Sequence, residues 1–205
     1  AIAPGGGDPA GFRLGDCATQ RNLDAQGREQ ARRIGEQLRW KGIPVTAVWA
    51  SQWCRTKETA ALAFPRLKVV EQPAFNSFFD DRSKADGQTA QARALLQGWR
   101  GPGVLAVITH QVNIAALTEV SPSSGEGIVV RPAHDGLFVV GRVPPPAGAG
   151  PCSSISGCWP GCFFANSGSR DDISPIARRH TGADGAAATA TRQRGNSVGS
   201  AIVGS

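Results

Sequence analysis

The 205-residue sequence has no methionine and no run of about 18 apolar residues. A membrane-spanning helix needs such a run, so we expect no membrane span. Without methionine, the start "AIAPGGGDPAG" lacks an initiator, which fits a cleaved signal peptide, an artificially chosen start or a fragment. Residues 1–146 also lack the ligand spacings that are typical of zinc and magnesium sites. We therefore expect no metal and no other cofactor.

The formal net charge is +6, from 22 Lys and Arg against 16 Asp and Glu. The basic residues are spread along the chain and do not form the blocks that are typical of nucleic-acid-binding segments. We therefore expect a small anionic ligand and no nucleic acid partner.

The composition changes at "GRVPPPAGAGP", residues 141–151. Before this segment apolar residues recur in periodic or continuous runs, and after it Gly, Ala, Ser, Thr and Arg dominate. A segment with little to bury does not offset the entropy that is lost when it becomes ordered. We therefore predict a domain over residues 1–146 and a low-complexity, disordered tail over residues 147–205. That the tail binds nucleic acid or an acidic partner is a separate hypothesis.

Strands and helices alternate in the predicted domain. The segment "NLDAQGREQARRIGEQLRWKG" has apolar residues on one helical face and predicts a helix that ends near Gly42 and Pro44. "PVTAVWAS" and "GVLAVITH" are continuous apolar runs, typical of buried strands, and a helical pattern follows each. "GQTAQARALLQGW" predicts another helix, and "GIVVRP" and "GLFVVGR" predict an antiparallel strand pair. This order predicts an α/β fold with a mostly parallel sheet that helices cover on both faces.

Arg55 and His110 occupy equivalent positions in this pattern. Each follows a buried strand and stands at the start of a helix. In open α/β sheets, ligands bind beyond the carboxyl ends of the strands, where helix amino termini present free N–H groups. A guanidinium can donate hydrogen bonds to two oxygens of one anion, so the simplest ligand is a phosphate. We therefore predict that Arg55 and His110 form a phosphate site.

Three segments, "GDCATQRNLDAQGREQARRIGEQL", "ASQWCRTKETA" and "VITHQVN", strongly resemble the histidine phosphatase superfamily, which has a phosphoglycerate mutase-like fold. The resemblance extends over residues 1 to about 143. It implies a three-layer α/β/α sandwich, and a phosphoric monoester hydrolase that acts on a small phosphorylated substrate through a phosphohistidine. The family's late strand that ends in His corresponds to His110. The signature Ser-x-x-x-Arg-x-x-x-Thr-Ala corresponds to Ser51, Arg55, Thr59 and Ala60.

The resemblance also raises the question of the nucleophile. In this family an Arg-His pair ends the first strand, and its His becomes phosphorylated. The start "AIAPGGGDP" resembles the residues that directly follow such a pair, which implies that the first strand is missing and that the chain is inactive as given. The alternative is a degenerate homologue that binds phosphate without catalysis. The family's acid for the leaving group corresponds here to Ser77, so Asp80 or Asp81 would have to replace it.

Four further polar residues are candidates for phosphate contact: Thr19, Gln20, Asn22 and Gln111. Gln20 and Asn22 precede a predicted helix, and we favour the interpretation that they cap it. His134 lies in a predicted turn, where we expect it to be exposed to solvent.

The chain has five cysteines. The family resemblance brings Cys17 and Cys54 to the same rim of the sheet, in two loops. A disulfide between them would fit an exported or periplasmic protein, which we favour, and free thiols would fit the cytosol. The three cysteines of residues 152–162 and His180 match no common zinc spacing, so we expect no metal there.

Overall fold

The structure is a computed structural model that describes residues 1–147 and 200–204. Its helices are α1 (Ala25–Trp40), α2 (Cys54–Ala63), α3 (Ala85–Gly98) and α4 (Gln111–Thr118). Its strands are β1 (Val45–Ala50), β2 (Val69–Glu71), β3 (Val104–Ile108), β4 (Gly127–Ala133), β5 (Gly136–Val143) and β6 (Ser200–Gly204). The predicted alternation of strands and helices is confirmed. Among the described helices, none is long and apolar enough to cross a membrane.

The strands form one sheet in the order β2-β1-β3-β6-β4-β5. β1 pairs in parallel with β2 and β3, and β3 pairs in parallel with β6. β4 runs antiparallel to both β6 and β5, which confirms the predicted β4–β5 pair. Ala50 at the end of β1 lies opposite Ile108 at the end of β3. The two segments that precede Arg55 and His110 therefore end at the same edge of the sheet.

β6 lies inside the segment that we predicted to be a disordered tail. It pairs with β3 on one side and with β4 on the other, and the N–H of Thr109 donates to the carbonyl of Gly204 at 2.8 Å. For residues 200–204 the prediction is therefore wrong. The physical reason is that β3 and β4 each offer an unpaired backbone edge, which the short run "SAIVG" satisfies on both sides. The rest of the predicted tail, apart from Ala147, lies outside the described residues.

Helices cover both faces of the sheet. Successive side chains of β3 point to opposite faces, so they pack in two separate cores. Leu105 and Val107 of β3 pack in one core with residues of α3 and α4. Ala106 and Ile108 pack in the other core with residues of α1 and α2. The predicted three-layer α/β/α arrangement is therefore confirmed. β2 has only three residues, too few to give a readable pattern, and the sequence did not predict it.

Close packing of α1 on α2 fixes the position of the Arg55 helix. A Cβ atom added at Gly35 of α1 would lie 1.9 Å from the carbonyl oxygen of Ala63 in α2, so this crossing needs a glycine. At its amino end α1 is capped by Asp24, whose Oδ1 accepts from the N–H of Gly27 at 2.6 Å. Just after its carboxyl end Gly42 adopts a φ of +67°, which agrees with the predicted stop.

Candidate functional site

A cavity of about 310 Å³ is lined by residues that follow β1 and β3. The structure places Arg55 and His110 in it together, with Arg55 Nη2 3.4 Å from His110 Nδ1. Arg55 is the second residue of α2, and His110 is the N-cap of α4. Both therefore stand at helix amino termini, as the sequence predicts. The other charged residues in the lining are Asp8, Arg21 and Asp80.

The Arg55 guanidinium forms an ion pair with Asp8. Nη1 donates to Asp8 Oδ1 at 2.7 Å, and Nη2 donates to Asp8 Oδ2 at 3.3 Å. The two side chains are only 11% and 6% exposed, so the pair is largely removed from water. The sequence predicts that Arg55 makes this two-oxygen contact with a phosphate. In the structure a carboxylate of the same chain makes this contact.

His110 is held by a chain of hydrogen bonds. Its Nε2 lies 2.8 Å from Ser51 Oγ, which lies 2.7 Å from Thr56 Oγ1. Because the Arg55 guanidinium can only donate, His110 Nδ1 accepts, which assigns the proton of a neutral ring to Nε2. Burial, followed by the positive charge of Arg55, lowers the pKa of His110 to about 3. The imidazole is therefore uncharged at neutral pH.

Asp8 receives hydrogen bonds from two further groups. Trp53 Nε1 donates to its Oδ2 at 2.8 Å, and the backbone N–H of Arg21 donates to its Oδ1 at 3.2 Å. Burial alone would raise the pKa of Asp8, but the hydrogen bonds from Arg55 and Trp53 outweigh it and lower the pKa. The Trp53 ring also stacks on Phe12 and contacts His110 edge-on, with ring centroids 5.0 and 5.1 Å apart. The lowered pKa keeps Asp8 ionised as a carboxylate.

Gln20 was expected to cap the helix that follows it, and the structure corrects this. Its Oε1 accepts from the backbone N–H of Cys54, the first residue of α2, at 2.9 Å. Its amide nitrogen donates to the carbonyl of Arg13 at 3.1 Å. The N-cap of α1 is instead Asp24. Gln20 therefore orients the start of the Arg55 helix from outside the cavity.

A disulfide joins Cys17 to Cys54, with their Cα atoms 5.7 Å apart. This is one of the two alternatives that the sequence leaves open, the other being two free thiols. One expectation is corrected, because Cys54 lies in α2 and not in a loop. The bond ties the segment before α1 to the residue next to Arg55. It therefore adds a covalent restraint to the side of the cavity that carries the guanidinium.

The structure places neither Thr19 nor Asn22, two candidates for phosphate contact, in the lining of the cavity. Thr19 Oγ1 accepts from the N–H of Arg13 at 2.9 Å and donates to the carbonyl of Asp16 at 2.8 Å. Asn22 Nδ2 donates to the carbonyl of Cys17 at 2.7 Å. These side chains stabilise their own loop, because its backbone offers partners within reach. Asn22 was expected to cap the next helix, and this is corrected as well.

The two candidate acids have different positions. Asp80 lines the cavity. Asp81 instead accepts from the N–H of Ser83 at 3.2 Å and pairs with Lys84 Nζ at 2.9 Å. Hydrogen bonds from Ser83 and Lys84 lower the pKa of Asp81, which favours its deprotonated form and leaves it without a proton to donate. The geometry therefore favours Asp80 as the acid.

The remaining candidates have mixed outcomes. Gln111 lines the cavity as the first residue of α4, while its Nε2 donates to the carbonyl of Pro122 at 3.0 Å. Ser77, which stands at the family's acid position, lines the cavity too. His134 is exposed in the turn between β4 and β5, which confirms its prediction.

Sequence reasoning missed Asp8, Arg21 and Trp53. Asp8 is 47 positions from Arg55, and in the sequence it reads only as part of the glycine-rich turn "GGGDP". Arg21 brings a second guanidinium to the cavity, and its buried Nε has no hydrogen-bond partner among the described residues. Burial, followed by the charge of Arg55, lowers the pKa of Arg21. No pattern in the sequence indicates these tertiary contacts.

Within residues 1–147 and 200–204, no three of the His, Cys, Asp and Glu side chains are grouped closely enough to hold a metal ion. The three cysteines of residues 152–162 and His180 lie outside the described residues.

The fold and the cavity define an α/β protein with a guanidinium and an imidazole at the carboxyl edge of a largely parallel sheet. Residues 16–78 match the family model "Histidine phosphatase superfamily (branch 1)". This match confirms the resemblance over these residues. The matched segment contains Arg55 but ends before His110. The match supports a function of the phosphatase type.

The solved structures that match this chain include the protein histidine phosphatase SixA in complex with tungstate. That match has 16% identity and a TM-score of 0.49, and it covers 61% of this chain and 85% of the SixA chain. A phosphoserine phosphatase variant from Entamoeba histolytica in complex with phosphoserine has 15% identity and a TM-score of 0.44, covering 59% and 83%. Phosphoglycerate mutase from Plasmodium falciparum has 17% identity and a TM-score of 0.35, covering 47% and 64%. No curated protein matches the sequence.

Proposed function

We propose that this chain carries the phosphate-binding part of a histidine phosphatase site. In its complete form, such a site hydrolyses a small phosphoric monoester through a phosphohistidine intermediate. The observation that supports this most directly is the pairing of Arg55 with His110 in one cavity, each at the amino terminus of a helix. Arg21 adds a second cation to the same lining. Two guanidinium groups and helix N–H groups are suited to the equatorial oxygens of a phosphoryl group.

The chemistry needs a nucleophilic imidazole that this cavity does not offer through His110. Its ring is buried, and both ring nitrogens have partners in Arg55 and Ser51. Ala1 lines the cavity, so an imidazole joined directly before Ala1 would lie close to Arg55. That nitrogen would attack phosphorus in line while the bond to the leaving alcohol breaks.

Asp80 is the group that we assign to proton transfer. It lines the cavity, and in protonated form it would donate to the leaving oxygen as the phosphohistidine forms. Its carboxylate would then take a proton from the water that attacks phosphorus and breaks the phosphorus–nitrogen bond. The products are the alcohol and inorganic phosphate, and none of these steps requires a metal.

The hydrolysis of para-nitrophenyl phosphate tests this proposal. We expect residues 1–205 to release nitrophenol no faster than buffer does, because of the two histidines in residues 1–147 His110 is engaged and His134 does not line the cavity. A version extended before Ala1 by a strand that ends in Arg-His should turn the substrate over. The matched control ends in Arg-Gln.

Two outcomes would contradict the proposal. Phosphorylation of residues 1–205 by a phosphoryl donor would show that a nucleophile is already present. Phosphate binding by both extended forms without turnover by either would favour the alternative of a non-catalytic phosphate-binding protein.

A further inference from the structure

Every terminal N–H of the Arg55 guanidinium is directed at an acceptor of the protein. Nη1 contacts Asp8 Oδ1 at 2.7 Å and the carbonyl of Arg21 at 3.4 Å. Nη2 contacts Asp8 Oδ2 at 3.3 Å and His110 Nδ1 at 3.4 Å. Each Nη carries two N–H groups, so these four contacts account for all of them. A phosphoryl group therefore cannot make a two-oxygen contact with these nitrogens while Asp8 keeps its position.

The Asp8 carboxylate is bound in the way that a free anion would be. Its two oxygens lie in the guanidinium fork, and the Trp53 indole and the backbone N–H of Arg21 complete its hydrogen bonds. A phosphoryl group presents the same kind of charged acceptor oxygens. The charge of Asp8 also offsets one of the two guanidinium groups of the cavity, which weakens the attraction for a second anion.

The loop that carries Asp8 has the freedom to rearrange. Three consecutive glycines precede it, and Gly5 and Gly7 adopt φ values of +89° and +73°. A Cβ atom added at Gly6 or Gly7 would meet no atom beyond the adjacent residues within 4 Å, so these two positions are not packed against the rest of the protein. The hydrogen bond from Arg21 Nη1 to the carbonyl of Gly5 holds the loop one residue earlier. Glycine has the largest backbone freedom of all residues. Moving Asp8 therefore needs a change in this loop and no change in α2.

We propose that Asp8 is an internal competitor for phosphate, whose carboxylate occupies the Arg55 fork and is exchanged for the phosphoryl group of the ligand. The proposal rests on the proposed function, because it assumes that Arg55 is the phosphate contact. One charge-assisted pair replaces another of the same geometry, so the guanidinium stays paired throughout. The site then binds anions only when Asp8 leaves.

Calorimetric titration with inorganic phosphate tests the exchange. Asp8→Asn keeps the shape of the side chain but removes the charge that competes, so we expect it to bind phosphate at least about 10-fold more tightly than the parent. Asp80→Asn is the comparison, since Asp80 lines the same cavity but forms no hydrogen bond or ion pair with Arg55. Its gain should be smaller than that of Asp8→Asn. Equal or weaker binding by Asp8→Asn would overturn the proposal and assign Asp8 the role of positioning Arg55.

A measurement on the unmodified protein covers the case in which Asp8→Asn does not fold. The Trp53 indole N–H loses its Asp8 acceptor during exchange, so its NMR resonance should shift in proportion to phosphate saturation. An indole resonance that stays fixed while other cavity signals saturate would overturn the exchange alone. If neither the parent nor a folded Asp8→Asn variant binds phosphate, the proposed function fails together with this proposal.

Discussion

An Arg55→Ala variant is expected to lose about 3 to 5 kcal/mol of unfolding free energy and all measurable phosphate binding. The loss of stability follows because Asp8, with a side chain only 6% exposed, would keep its charge without its ionic partner. Only the hydrogen bonds from Trp53 and from the backbone of Arg21 would remain. Urea denaturation in phosphate-free buffer measures the stability, and calorimetry measures the binding.

Three control variants separate the contributions of charge and geometry. Arg55 and Asp8 form one buried pair, so the double variant Asp8→Asn with Arg55→Ala should be more stable than Arg55→Ala alone. Arg55→Lys keeps the charge but not the fork, so it should not restore phosphate binding fully. Arg13→Ala breaks an exposed pair with Asp16 and should cost about 1 kcal/mol or less. A loss below about 1 kcal/mol in Arg55→Ala would contradict the assignment of a buried pair.

An Ile202→Pro variant is expected to destabilise the protein by about 3 kcal/mol or more, because proline cannot donate to a sheet ladder. Ile202 stands in the middle of β6, opposite Ala106 of β3 and Val129 of β4. If β6 detaches, β3 and β4 are left with unpaired edges and the sheet divides into β2-β1-β3 and β4-β5. Thermal unfolding should show a midpoint lower by roughly 6 °C or more.

Ile202→Val is the matched control for β6, because it keeps the backbone N–H and a β-branched side chain. It should unfold close to the parent. If Ile202→Pro unfolds at the temperature of the control, then β6 does not contribute to the stability of the sheet, and its assignment as a sheet strand is wrong.

The sequence predicted those parts of the fold whose patterns are local. Continuous apolar runs marked β1 and β3, and helical periodicity marked α1, because each pattern is contained in one short segment. The composition of the whole tail predicts disorder and therefore hides β6. Five residues are enough to form a strand when two open strand edges can pair with them. That requirement depends on the tertiary fold and leaves no signal in the neighbouring sequence.

The residues of the candidate site also fall into those that a local pattern predicts and those that only the tertiary fold brings together. Arg55 and His110 could be predicted, because the end of a strand and the start of a helix are local features. Their partner Asp8 could not, since a carboxylate 47 positions away meets Arg55 only after the loop has folded over the sheet edge. Thr19 and Asn22 were candidates for phosphate contact, but their own loop provides their hydrogen-bond partners.

An NMR titration with inorganic phosphate shows whether the cavity at Arg55 and His110 binds phosphate. The ring resonances of His110 report on the cavity, and those of His134, exposed in the β4–β5 turn, serve as the internal reference. A bound anion favours the protonated imidazole, so it should raise the low pKa of His110 as well as shift its signals. We predict a saturable shift of the His110 resonances while those of His134 stay fixed. If the His110 resonances stay fixed while other signals move, then the anion binds elsewhere and the placement of the site is wrong.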